Sequence, residues 1–155
     1  MALTRDRSHD EGLFAAVCRG AAAGLAGTAA MTLSSTLEAK LRGRPPSDAP
    51  ARAAGNVLRV EPRDEEGKSR FSNLVHWGYG TTWGIARGLL DRLGLSPGRA
   101  TAAHLGAVWG AEAVMLPVLG VAPPVWKWGG TELAVDLLHH GVYAGTTGIA
   151  YEALS

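Results

Sequence analysis

Four long, weakly polar segments of this chain are loaded with glycine, and that load constrains the solvent in which they can fold. They run approximately 13–37, 71–90, 101–121 and 131–154, and the 155-residue chain carries 21 glycines. Each is long enough to cross a bilayer, since about 20 helical residues rising ~1.5 Å apiece span a hydrocarbon core of about 30 Å. In water, a glycine inside a helix costs about 1 kcal/mol relative to alanine. The second segment alone holds Gly78, Gly80, Gly84 and Gly88. In lipid, helices associate by close packing, and small residues four apart let backbones approach. That spacing recurs at Gly20/Gly24, Gly80/Gly84/Gly88, Gly106/Gly110 and Gly141/Gly145, so these nine glycines are read as helix-packing positions. The expectation is an all-α integral membrane four-helix bundle, a single domain over 1–155.

Charge is distributed to match. Thirteen charged residues crowd between Lys40 and Arg70, which leaves the apolar segments clean. The net charge of +1 provides no basic face for nucleic acid. The 38–70 connection opens with Lys40, Arg42 and Arg44, followed by Pro45-Pro46. Ser47 is placed to cap a short surface helix over about 48–60, before a solvated charged run at 61–70. Ser96-Pro97-Gly98 predicts the turn between the second and third segments. Pro123-Pro124 ends the third, and Trp126, Lys127 and Trp128 follow as headgroup-level residues. Positive-inside counting favours a cytoplasmic first connection with both termini outside. Arg5 and Arg7 precede an apolar run too long for a signal-peptide core, and Arg19 interrupts it, so a retained first span is expected. Cys18 reads as a small packed hydrophobe.

The second and fourth segments resemble each other. His76, Tyr79, Thr82, Gly84, Ile85, Ala86 and Leu90 lie over His140, Tyr143, Thr146, Gly148, Ile149, Ala150 and Leu154 at one constant offset, seven of fifteen positions. Ala22-Ala23-Gly24-Leu25 resembles Ala102-Ala103-His104-Leu105 more faintly. The bundle is therefore read as two related helical hairpins.

Ionisable residues inside such segments stand out because each costs ~3 kcal/mol or more at mid-bilayer. Glu132, Asp136, His139 and Tyr143 fall within about 60° on a helix turning about 100° per residue, with His140 beside them. Thr101, His104, Glu112 and Met115 share one side of the third segment, and Asn73, His76, Gly80 and Arg87 one side of the second. The candidate intramembrane polar site is His76, Tyr79, Glu112, Asp136, His139, His140 and Tyr143. Asp136-x-x-His139 has the spacing of carboxylate-bridged metal bundles, but a second such pair is missing, so no metal or other cofactor is assigned. His104, near its helix start, reads as interfacial, and His9 as part of a disordered tail. There is no nucleophile elbow, P-loop or H-E-x-x-H, and no catalytic residue is assigned.

The stretches 19–32, His76-Trp-Gly-Tyr79-Gly and 139–151 resemble four-span proteins of high-GC bacteria. More distantly the chain is similar to YagU-like inner-membrane proteins, with a small-residue first span and a Pro-Pro loop. The resemblance implies a multi-pass protein of the bacterial cytoplasmic (inner) membrane and brings no functional residue with it. Three readings follow. The first is a small polytopic membrane protein whose polar residues are structural. The second is a proton- or ion-coupled carrier or channel using the buried Glu, Asp and His. The third is a membrane-embedded metal-binding enzyme. Expected partners are the lipid bilayer and a homo-oligomer or another membrane protein.

Overall fold

The computed structural model describes residues 3–45 and 47–155, with the side chains of residues 3–11 left out. Pro46 and the side chains of Arg5, Arg7 and His9 thus lie outside the described residues. The described residues form five α-helices and no strand: α1 (Leu3–Leu41), α2 (Ala49–Leu58), α3 (Glu65–Asp91), α4 (Pro97–Val118) and α5 (Gly130–Ala153). A 3-10 turn at Val125–Lys127 precedes α5.

The four long helices overlie the four glycine-rich segments, and their ends follow from local chemistry. The Asp64 carboxylate accepts the Gly67 N–H at 2.7 Å, so α3 begins inside the charged run expected to be loop. Pro97 and Gly98 form the first turn of α4 instead of a turn before it, because proline at the first helical positions forfeits no hydrogen bond. The reversal itself sits at Gly94, whose φ of 71° is left-handed. The short helix starts one residue later than expected: Ser47 Oγ accepts from Ala49 N at 3.3 Å, and Asp48 occupies the cap position. It ends at Arg59 in the left-handed conformation.

Helix α1 lies against both α3 and α5, whereas α4 rests mainly on α5 and α3. The α1–α3 seam is backbone on backbone. A Cβ on Gly24 would lie 2.8 Å from the carbonyl oxygen of Gly80, and one on Gly84 would run into the Gly20 carbonyl. Gly88 meets the Ala16 carbonyl in the same way. Gly106, Gly110, Gly141 and Gly145 do not pack: a Cβ on any of them meets nothing within 4 Å. Their role as packing positions is not realised within the chain, because their helix faces turn away from the neighbouring helices.

The interior is not a conventional apolar core. The largest fully buried side chains are Arg87, Tyr151, His104, Thr28 and Thr147. Phe14, Leu33, Leu74, Val114, Val118 and Ile149 point outward instead. Cys18 is exposed as well, which corrects its reading as a packed residue. Among the described residues, one helical stretch, Gly12–Leu41, is long and apolar enough to cross a membrane. Glycine, threonine and ionisable residues dilute the other three long helices.

Candidate functional site

The expected polar site divides into parts. Its centre lies where α4 faces α5. Glu112 Oε2 of α4 is 2.5 Å from His140 Nε2 of α5, and Asp136 Oδ2 is 3.6 Å from His140 Nδ1. Residues 136 and 140 share a helix face one turn apart. His140 Nδ1 is 2.9 Å from the Asp136 carbonyl, which can only accept, so this nitrogen carries the hydrogen and donates it. Trp109 Nε1–H donates to Asp136 Oδ2 at 2.8 Å and fixes that carboxylate. His140 is buried, and Glu112 and Asp136 are half-buried. Asp136 and His139, noted for their spacing, do not act together: His139 turns to α1, where its Nδ1 meets Ser34 Oγ at 2.9 Å. Asp136 pairs one residue later, with His140.

The remaining candidates tie helices together. His76 Nε2 lies 2.9 Å from Thr32 Oγ1, joining α3 to α1. Tyr143 O–H donates to the Gly80 carbonyl at 2.6 Å, joining α5 to α3. Tyr79 is partly exposed and packs edge-on against Trp83, with ring centroids 6.1 Å apart. His104 is not interfacial. It is completely buried, and its Nε2–H donates to the Trp83 carbonyl at 2.9 Å. Arg87 leaves the row shared with His76: it is fully buried beside α5, donates to Glu152 at 2.7 Å and lies over the Tyr151 ring.

A cavity of about 940 Å³ opens between the helices, and the central cluster lies on its wall. His76, Tyr79, His139 and Tyr143 also face it, as do apolar residues of α2. The short helix lies across this end of the bundle. Its Ala53 packs with Leu116 and Val121, and Asn56 Nδ2 donates to the Leu119 carbonyl at 2.9 Å. Nearby, Arg42 reaches Glu38 at 3.0 Å and Glu132 at 2.5 Å, linking the end of α1 to the start of α5, and Arg44 also pairs with Glu38. The two carboxylates hold the Arg42 guanidinium even more firmly protonated than usual. No family model, curated protein or solved structure matches the chain, so its chemistry is read from this geometry.

Sequence reasoning did not find Thr32, Ser34, Trp109 or the Arg42–Glu132 bridge. Hydroxyls in a Gly/Ala-rich helix carry no distinctive spacing, and Trp109 looks like any apolar aromatic. A signal for Thr32 did exist. Aligning Ala22-Ala23-Gly24-Leu25 with Ala102-Ala103-His104-Leu105 brings Thr32 onto Glu112, just as His76 lies over His140. The contacts His76–Thr32 and His140–Glu112 thus join matching positions.

Proposed function

We propose that the chain is a small multi-pass membrane protein, built of two related hairpins, that works as an ion-linked carrier or binding module. Its cavity takes a small solute, and Glu112, Asp136 and His140 are the groups that bind the ion. The observation that carries this reading is the Glu112–His140–Asp136 cluster on the wall of a cavity of about 940 Å³. That volume is within the range of roughly 300–1,000 Å³ in which small-molecule sites fall.

Membrane placement is supported by the inverted distribution of side chains. Many large aliphatic groups face outward, whereas the largest fully buried side chains are mostly polar and small residues line the helix contacts. Water gives such an arrangement little hydrophobic driving force, while lipid rewards close packing and interhelical hydrogen bonds. The resemblance to YagU-like inner-membrane proteins points to the same location. Matching contacts in α1/α3 and α4/α5 support two related hairpins, which would run parallel to one another. The structural reading of the polar residues keeps its share: His76, His104, His139 and Tyr143 each bond to a neighbouring helix.

Two measurements test the reading. The unfused chain should stay with the bilayer through an alkaline wash; free solubility without detergent defeats the membrane placement. Reconstituted vesicles should dissipate an imposed proton or divalent-cation gradient faster than empty ones, and Glu112→Gln should abolish the difference. Leakage identical to that of empty vesicles defeats the carrier.

A further inference from the structure

We infer that Glu112, Asp136 and His140 bind one divalent first-row transition ion, of the Zn²⁺ or Mn²⁺ kind, on the cavity wall. The inference rests on the cavity being the working site and specifies the ion used there.

His140 carries its hydrogen on Nδ1. Its Nδ1–H is committed to the Asp136 carbonyl at 2.9 Å, so in the neutral ring Nε2 presents a lone pair. That lone pair faces a carboxylate oxygen of Glu112 at 2.5 Å. At this distance the two atoms share a proton, and a metal ion takes the proton's place on the same lone pair only as the two atoms move apart.

Charge balance admits the metal. With a single proton, the imidazolium and two carboxylates leave the cluster one negative charge in excess, in a half-buried place where unpaired charge is costly, and either a second proton on a carboxylate or exchange for a divalent ion removes it. With a divalent ion, two carboxylates and a neutral imidazole sum to zero. One nitrogen and two oxygens suit zinc or manganese, since imidazole favours the former and carboxylates the latter.

The geometry is close to that of a ligand set. The three donor atoms lie within 4.8 Å of one another. An ion bound at about 2.0–2.2 Å from each donor spans at most about 4.4 Å between opposite ligands. The set therefore closes on an ion by a fraction of an ångström, while the 2.5 Å Glu112–His140 contact opens to admit it. Outer supports are present too. The Asp136 carbonyl orients the imidazole, and Trp109 Nε1–H orients the Asp136 carboxylate, as hydrogen bonds to the ligands do in metal sites. The open side is the cavity, which leaves coordination positions for water or a solute. His139 faces the same cavity, 5% exposed, with its Nε2 lacking a hydrogen-bond partner and the Glu38 carboxylate 3.7 Å away.

The test uses the full chain in detergent, stripped with a chelator and dialysed against Zn²⁺ or Mn²⁺, with bound metal measured by mass spectrometry and heat by calorimetry. One ion per chain is expected. Trp109→Phe should weaken binding roughly ten- to a hundredfold, and Glu112→Gln and Asp136→Asn should weaken it further. Asp48→Asn, a change at an exposed carboxylate, should leave it unchanged. Helical content and elution volume certify each variant, and the near-isosteric Asp136→Asn decides the matter should a His140 variant misfold. Absence of a stoichiometric ion, or binding indifferent to Glu112→Gln and Asp136→Asn, overturns the inference. If binding fails while a Glu112-dependent proton flux persists, the carrier stands with the proton as its ion. If the metal binds without any flux, the site stands and the carrier falls.

Discussion

The α1–α3 contact and the α4–α5 contact come from stretches of sequence that resemble each other, and they are filled differently. In the first, Gly20 and Gly24 meet Gly80 and Gly84 with no side chain between. In the second, Ala100 and His104 stand where the first has Gly20 and Gly24, and Gly148 packs against the side chain of Thr101. Where the first has the hydroxyl Thr32 beside His76, the second has the carboxylate Glu112 beside His140. The glycine seam spends its surface in packing, and of the α1–α3 pair, Thr32 and His76, beyond the close glycine contact, face the cavity. The α4–α5 seam carries the ionisable cluster, which lies on the wall of the cavity. Similar stretches thus pack glycine on glycine in one pair of helices and bring ionisable side chains together in the other.

Substitutions can break this comparison or sharpen it. The largest effect is expected for Gly84→Ile, which would push backbone against backbone at the Gly20 and Gly24 contact. Overpacking typically costs about 1–3 kcal/mol and occasionally more, and here the clash is with backbone that has no room to yield, so thermal unfolding in detergent should show little native protein. A normal melt would mean that α1 and α3 can separate freely and that the seam is not rigid.

His104→Ala comes next. It removes a completely buried ring and its hydrogen bond to the Trp83 carbonyl. A loss of about 2–3 kcal/mol is expected from the cavity and the orphaned carbonyl, read as a lowered unfolding midpoint. Stabilisation instead would show that the second hairpin can close as tightly as the first.

Gly145→Ala should behave oppositely to the seam glycines. Nothing lies within 4 Å of the added methyl group, so stability should hold or rise by up to about 1 kcal/mol from helix propensity. Destabilisation together with a smaller particle on size exclusion would place this face at a contact between chains.

The smallest effect belongs to Arg42→Ala. This residue bridges α1 and α5 through Glu38 and Glu132 in an exposed network. Exposed pairs contribute little and are screened by salt, so the midpoint should be unchanged at physiological ionic strength and fall slightly at low salt. A large loss at both would make the bridge part of the fold.

Much of the architecture was legible from residues alone. The four long helices, the short one near 48–60 and the glycine contact in the first hairpin follow from spacing, capping and composition. The aligned histidines His76 and His140 do each meet a side chain of the preceding long helix, Thr32 and Glu112, whereas the aligned Tyr79 and Tyr143 make different contacts. Helix ends were less so, because Asp64 and Pro97 act through local geometry that displaced the expected starts by several residues. The candidate site was half legible. Glu112, Asp136 and His140 were singled out as costly ionisable groups, but helical phase alone could not choose between His139 and His140 as the partner of Asp136, since both lie near its face.

Sequence by itself determined the helices, their small-residue faces and the placing of Glu112, Asp136 and His140 within them, because period, propensity and charge are properties of a short stretch of chain. Tertiary structure decided which glycines meet, which histidine faces which carboxylate, and that α4 stands away from α1 to leave a cavity. Those outcomes depend on how several helix faces compete for the same space, and no single stretch contains that competition.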